Sequence, residues 1–106
     1  MDFYPEIHAE LERAEAVRAA GNEGRARVCA RRAAGMAARD FLTRHEVRPR
    51  SGSAYGSLQT LATFPGLAPH LKQAALHLTM RVTEEFALPV KADLIAEARK
   101  LIVGLL

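Results

Sequence analysis

The 106-residue sequence predicts an all-α protein: an antiparallel up-down four-helix bundle with one extra short helix between the second and third long helices. Apolar residues recur at three- and four-residue steps in four long segments, and no segment shows the alternation typical of a half-buried strand. Gly21, Pro49, Gly52, Pro65, Gly66 and Pro89 fall at the ends of these segments or between them, where turns are expected. A chain of this length supports one hydrophobic core, so we assign residues 1–106 to a single domain.

The first two helices are predicted to form a hairpin. The first opens near Pro5, because proline suits the first helical turn, and ends at Gly21, which adopts the left-handed conformation easily. Asn22 can cap the second helix, an alanine-rich segment from about Glu23 to His45. The expected core face of this helix carries Ala26, Cys29, Ala30, Ala33, Met36, Ala37 and Phe41.

The second half of the chain begins with a loop at residues 48–53, which are rich in turn formers. A short helix follows from about Tyr55 to Thr63. The third long helix is expected from Pro69 to just before Pro89, and the last from about Lys91 to Leu106, because both carry apolar stripes at helical spacing.

The composition is typical of a folded globular protein, with 49% hydrophobic and 25% charged residues. No apolar run approaches the roughly 18 residues of a membrane-spanning helix, and the acidic N-terminus does not resemble a signal peptide. We therefore expect a cytoplasmic protein without a membrane partner. The single cysteine, Cys29, is expected to be a small buried residue.

The histidines give no indication of a metal site. None of them stands three or four positions from another histidine or from Cys29, which is the spacing of a helical zinc pair. The four are His8, His45, His70 and His77. No glycine-rich phosphate loop or nucleophile elbow occurs either, so the sequence predicts no metal and no cofactor.

The net charge of +3 is unevenly spread, since residues 1–24 sum to −4 and residues 25–50 to +6. Arginines recur every seven residues along one flank of the second helix, and others lie along the opposite flank: Arg25, Arg32 and Arg39, then Arg27 and Arg31. Two interpretations stay open. The acidic first helix can neutralise the basic second helix, or the arginines can bind an anionic partner such as RNA, although no aromatic residues are interleaved with them.

A narrow apolar strip lies opposite the predicted core face of the second helix. It consists of Val28, Gly35 and Leu42, which stand seven residues apart with no charge between them on that face. We expect this strip to be the contact for a second subunit in a homodimer.

Two further groups of polar residues are candidates for a structural or functional role. Asp40 is expected within the core face of the second helix, where a carboxylate needs a partner such as Arg44, four residues on, or a cation of another helix. His77 and Arg81 stand one turn apart and either line a groove or lie on a partly exposed face.

The order of the helices resembles that of the HEPN family of small helical bundles. Three segments carry the likeness: LERAEAVRAAGNEGRARVCARRAAGMAARDFL, SLQTLATF and LTMRVTEEFALPVKADLIAEARKLI. They are similar to the family's first hairpin, its short helix and its closing helix pair, so the likeness covers nearly the whole chain. The resemblance implies a dimeric bundle and, in many members, either metal-independent RNA cleavage or association with a nucleotidyltransferase partner.

The chain departs from the pattern of catalytic HEPN proteins, which carry an arginine and, four to six residues later, a histidine late in the bundle. No histidine follows His77, so Arg81 lacks a downstream partner. Arg39 and His45 have the right chemistry and a five-residue gap, but they lie at the end of the second helix and about 120° apart around its axis. Tyr55 stands nearest to the position of the family's loop histidine.

The sequence therefore predicts a non-catalytic HEPN-like protein that binds a protein partner or RNA, as a homodimer. One alternative is a ribonuclease or toxin of the same fold, as in a toxin–antitoxin pair, with Arg39, His45, His77 and Arg81 as its candidate groups. The other is a helical adaptor unrelated to HEPN, in which the acidic first helix and basic second helix recognise a peptide.

Overall fold

A computed structural model describes residues 4–80 and 92–106 of the chain. All regular structure in these two ranges is helical, which confirms the predicted all-α class. The helices are α1 (Tyr4–Ala19), α2 (Glu23–Arg44), α3 (Ala54–Ala62), α4 (Pro69–Leu78) and α5 (Leu94–Leu105). None of these described helices combines the length and apolar character needed to cross a membrane.

The turn between α1 and α2 forms as the sequence predicts. Gly21 adopts a left-handed conformation, with φ +87°, and the backbone amide of Asn22 donates to the carbonyl of Val17 over 2.9 Å. The side chain of Asn22 accepts a hydrogen bond from the amide of Arg25 over 3.0 Å, and this caps α2. The two helices therefore pack as a tight hairpin.

The buried interior is centred on α2, which packs against α1, α3 and α5. Most of the buried residues of α2 are small: Ala26, Cys29, Ala30, Ala33, Ala34, Gly35, Ala37, Ala38 and Leu42. Small side chains let neighbouring helices approach closely on more than one side. The other helices contribute the bulk, including Ile7, Leu11, Leu58, Leu61, Leu78, Leu94 and Leu101.

The prediction that the strip of Val28, Gly35 and Leu42 faces solvent is wrong for two of these three residues. Leu42 is completely buried, and Gly35 is covered by α3 so closely that a Cβ on Gly35 would lie 2.6 Å from the Cβ of Ala54. The chain returns across this side of α2, so Gly35 contacts the chain's own short helix. Val28 is the exposed member of the strip.

Helix α4 is shorter than the sequence predicts. It ends at Leu78, where the hydroxyl of Thr79 donates to the carbonyl of Leu76 over 2.9 Å and the amide of Met80 donates to the carbonyl of His77 over 3.2 Å. Hydrogen bonds between residues three positions apart tighten the last turn and close the helix end. The remainder of the predicted third helix, including Arg81, Val82, Phe86 and Pro89, lies outside the described residues.

Helix α5 begins at Leu94, whereas the sequence predicts a start near Lys91, a residue outside the described ranges. Asp93 determines the start because its Oδ1 accepts hydrogen bonds from the amides of Ile95 and Ala96, over 3.1 and 3.2 Å. The guanidinium of Arg18 also donates to Asp93, over 2.8 Å. This contact places the N-terminus of α5 beside the end of α1.

Candidate functional site

Arg44 and Asp40 form the ion pair that their spacing predicts. The Nε of Arg44 donates to Oδ2 of Asp40 over 3.0 Å, within one turn of α2. Another nitrogen of Arg44 donates to the carbonyl of Leu105 over 3.1 Å. The prediction that Asp40 needs a cation is confirmed, and Arg44 ties the C-terminal ends of α2 and α5 together.

Arg31 is also held by the fold. Its Nε donates to the carbonyl of Leu78 over 2.6 Å, and its guanidinium carbon lies 4.6 Å from the centre of the Tyr55 ring. Tyr55 therefore serves as a platform for an arginine of α2. Both contacts fix α3 and the end of α4 against α2.

Three other arginines of α2 are exposed and make no ion pair or side-chain hydrogen bond with any described residue: Arg25, Arg32 and Arg39. We call these three residues the arginine strip. Because they stand seven residues apart, they lie on one flank of α2 at intervals of about 10 Å. Their charges are available to a partner.

The acidic residues of α1 do not neutralise the arginine strip. Glu15 pairs with Arg99 of α5 over 3.0 Å, and Glu10 pairs with Arg13 within α1. In the described ranges, the ion pair that joins α1 to α2 has its cation on α1, between Arg18 and Glu23. In the described ranges, no ion pair between the two helices supports the interpretation that their charges cancel at the arginine strip.

A groove opens between α1, the exposed flank of α2 and the start of α3, with a volume of about 320 Å³. Its lining consists of Glu10, Arg32, Gly35, Met36, Arg39, Gly52, Ser53, Ala54 and Ser57. We call it the α2–α3 groove. A second hollow of about 280 Å³ is lined by Gly24, Arg25, Val28, Cys29 and Arg32. Arg32 lines both hollows, so the arginine strip runs continuously along the two.

Local backbone structure places the start of α3 at this groove. Gly35 has no side chain, which lets Ala54 lie directly on α2. Ser53 then caps α3, with its hydroxyl accepting from the amide of Gly56 over 3.0 Å. The first turn of α3, where the helix dipole favours negative charge, thus lies in the wall that faces Arg32 and Arg39.

Two polar groups of the α2–α3 groove lack partners. Ser57 is only 1% exposed, and its hydroxyl makes no hydrogen bond with a described residue. Oε2 of Glu10 is buried without a hydrogen-bond partner, while the other oxygen of that carboxylate pairs with Arg13. Buried polar groups are normally satisfied, so the unsatisfied oxygen of Glu10, in one hollow with a Ser57 hydroxyl that makes no hydrogen bond to a described residue, indicates a place for a polar ligand.

Sequence reasoning missed Ser57 and Glu10. A serine inside a helical segment and a glutamate on an acidic helix have no distinctive spacing. Their position in one groove depends on how α1 and α3 pack against α2, which helical periodicity does not specify.

The predicted ribonuclease residues are not brought together among the described residues. Arg39 lines the α2–α3 groove, whereas the ring of His45 lies against Phe41 and Phe64, with centroid separations of 4.2 and 5.2 Å. His77 is held elsewhere, with its Nδ1 3.2 Å from Oε2 of Glu97. Arg81, the fourth residue, lies outside the described ranges.

No cluster of three or more potential metal ligands occurs within residues 4–80 and 92–106. Cys29 is buried, as predicted for a single cysteine without a partner, and it lies in the core beside the alanines of α2. Comparison of the chain with protein-family models, with curated proteins and with solved structures found no match.

Proposed function

We propose that this chain is a non-catalytic binding protein of the HEPN type, an antiparallel four-helix bundle with one additional short helix, and that it binds RNA through the arginine strip. The observation that carries the proposal is the state of Arg25, Arg32 and Arg39. All three are exposed, and none is paired with a carboxylate of the described residues.

Unpaired guanidinium groups favour phosphate as a partner, because the planar fork of donors matches two phosphate oxygens. Their spacing of about 10 Å along a helix supports contacts to several phosphates of one strand. Each contact releases condensed counterions, which supplies affinity without reading the base sequence.

The three described aromatic residues of α2, α3 and the turn after α3 favour contacts to the RNA backbone over base stacking. The ring of Tyr55 faces the guanidinium of Arg31, and Phe41 and Phe64 pack against each other with their ring centres 5.1 Å apart. We therefore expect similar affinity for single strands of different sequence.

The homodimer, the nucleotidyltransferase partner and the cytoplasmic location implied at the outset remain predictions. Of the three residues first assigned to the dimer contact, Val28 still reaches the surface, between Arg25 and Arg32. A partner that covers Val28 would therefore also cover part of the arginine strip.

Fluorescence anisotropy with a labelled 20-nucleotide single-stranded RNA tests the proposal. We expect the triple variant Arg25→Gln, Arg32→Gln, Arg39→Gln to bind about tenfold or more weakly than the parent chain at near-physiological salt. The matched control replaces Arg48, Lys72 and Lys100 with glutamine, which removes the same charge from other parts of the surface.

Equal affinity of the parent chain and the triple variant would contradict the proposal. Competition by polyglutamate as effective as that by unlabelled RNA of the same charge would favour an acidic protein partner instead. Electrophoresis of the RNA after incubation tests the ribonuclease alternative, for which cleavage that His45→Ala or His77→Ala abolishes is the expected result.

A further inference from the structure

We propose that the α2–α3 groove binds the terminal phosphate of an RNA strand, a phosphomonoester rather than an internal phosphodiester. This inference depends on the proposed RNA-binding function and specifies which part of the RNA the groove recognises. It is carried by the two unpaired arginines of the groove, together with the hydroxyl of Ser57 and the unsatisfied oxygen of Glu10.

Charge favours a phosphomonoester. Arg32 and Arg39 both line the groove, and neither is paired with a described residue. A terminal phosphate carries about −1.5 to −2 at pH 7, whereas a phosphate inside the strand carries a single charge. The Glu10 carboxylate also lines the groove, but it is paired with Arg13, so the two unpaired guanidinium groups match the charge of a terminal phosphate better than that of an internal one.

Ser57 supplies a neutral donor. Its side chain is buried in the groove lining, at 1% exposure, and its hydroxyl has no hydrogen-bond partner among the described residues. A phosphate oxygen accepts such a bond at no cost in displaced protein contacts. The first turn of the nine-residue helix α3 lies in the same wall and favours an anion there.

Glu10 places a hydrogen-bond acceptor beside the proposed position of the phosphate. The unsatisfied Oε2 of this carboxylate can accept a hydrogen bond from a ribose hydroxyl beside the bound phosphate. With a volume of about 320 Å³, the groove has room for a phosphate and its sugar.

The test compares one 20-nucleotide RNA in three forms, with a 5′-phosphate, with a 3′-phosphate and with hydroxyls at both ends. Affinities are measured for the parent chain and for Arg39→Gln, Ser57→Ala, Arg25→Gln and Gln59→Ala. Arg25→Gln is the charge-matched control outside the groove, and Gln59→Ala is the control on an exposed position of α3. Thermal unfolding of each variant verifies that it is folded.

We expect one phosphorylated form to bind about tenfold more tightly than the dihydroxyl form, since a second charge adds charge-assisted hydrogen bonds. Arg39→Gln should remove most of this preference and Ser57→Ala should reduce it. Arg25→Gln should weaken all three RNAs by the same factor and preserve the preference.

Equal binding of all three RNAs, with all three weakened by the arginine variants, would overturn the inference and leave the proposed RNA binding intact. If no RNA binds, the proposed function fails. Competition with inorganic phosphate and with ribose 5-phosphate identifies the source of the phosphate. If ribose 5-phosphate abolishes the preference for phosphorylated RNA and the same concentration of inorganic phosphate does not, the groove recognises a phosphate linked to a sugar.

Discussion

Ala54, the first residue of α3, lies on Gly35 at the middle of α2, and a Cβ built on Gly35 would meet the Cβ of Ala54 at 2.6 Å and its Cα at 2.8 Å. Real Cβ atoms do not approach other atoms this closely, so the contact requires glycine. It fixes the start of α3 against α2 and thereby forms one wall of the α2–α3 groove.

Gly35→Ala is expected to lower the free energy of unfolding by about 1–3 kcal/mol, because the new methyl group must displace the backbone of α3. This loss outweighs the gain of up to about 1 kcal/mol that alanine brings to a helix interior. Gly24→Ala is the matched control in α2, since a Cβ there meets its nearest atom at 3.9 Å. Chemical denaturation measures both, and a stabilised Gly35→Ala would contradict the packing of α3 on α2.

Leu42→Ala is expected to cost about 2–5 kcal/mol in unfolding free energy, the usual range for a buried leucine. Val28→Ala should cost far less, because Val28 is 41% exposed. Chemical denaturation of both variants tests whether Leu42 is buried and Val28 is exposed. A small loss of stability in Leu42→Ala would contradict the burial of Leu42.

A homodimer that uses Val28 should be disrupted by Val28→Glu, which introduces a charge on the exposed apolar side chain. Size-exclusion chromatography with light scattering gives the mass of the parent chain and the variant. A parent dimer with an unchanged Val28→Glu variant would place the dimer contact elsewhere.

The stability of the fold is expected to fall in acid because of the cluster formed by Arg18, Glu23 and Asp93. The hydrogen bond from Arg18 lowers the pKa of Glu23. Burial acts to raise the pKa of Asp93, but hydrogen bonds from Arg18, Ala96 and Ile95 outweigh it and lower the value. A lowered carboxyl pKa stabilises the fold above the unfolded-state values, near 4.5 and 3.8, and that contribution disappears as the pH falls through the folded-state values.

Arg18→Gln should therefore make the loss of stability between pH 5 and 3 shallower than in the parent chain. The difference should reach about 1 kcal/mol or less, because the pairs are substantially exposed to solvent. Denaturant titrations at several pH values measure it, with Arg25→Gln as a variant that loses a cation without losing an ion pair. Parallel pH profiles for the parent and Arg18→Gln would contradict the role of this cluster.

The contact between Arg31 and Tyr55 should be measurable as a coupling. We expect Arg31→Gln and Tyr55→Leu each to destabilise the fold, and the double variant to lose less than the sum by about 0.5–2 kcal/mol. A double-mutant cycle in denaturant gives this value. Additive effects would show that the ring and the guanidinium are energetically independent.

Local rules predicted the elements of this fold well. Gly21 and Asn22 end one helix and start the next as expected, and α3 begins within one residue of its predicted start. The Asp40–Arg44 pair also follows from spacing alone. These features depend on neighbouring residues, which is why the sequence specifies them.

Features that depend on tertiary packing were not predictable in this way. Apolar residues on two sides of α2 fit either an exposed strip or a helix covered on both sides, and the position of α3 decides between the two. The groove combines Glu10, Arg39 and Ser57 from three helices. Only the arginine member had a recognisable pattern, so the acceptor and the donor could not be found from spacing.

The salt dependence of RNA binding tests the central claim most directly. For a single strand, the slope of log K against log salt concentration changes by about 0.7 for each phosphate contact. If Arg25, Arg32 and Arg39 each contact a phosphate, the triple glutamine variant should have a slope shallower by about 2 than the parent chain, while the control lacking Arg48, Lys72 and Lys100 keeps the parent slope. Equal slopes for the parent and the arginine-strip variant would contradict the account.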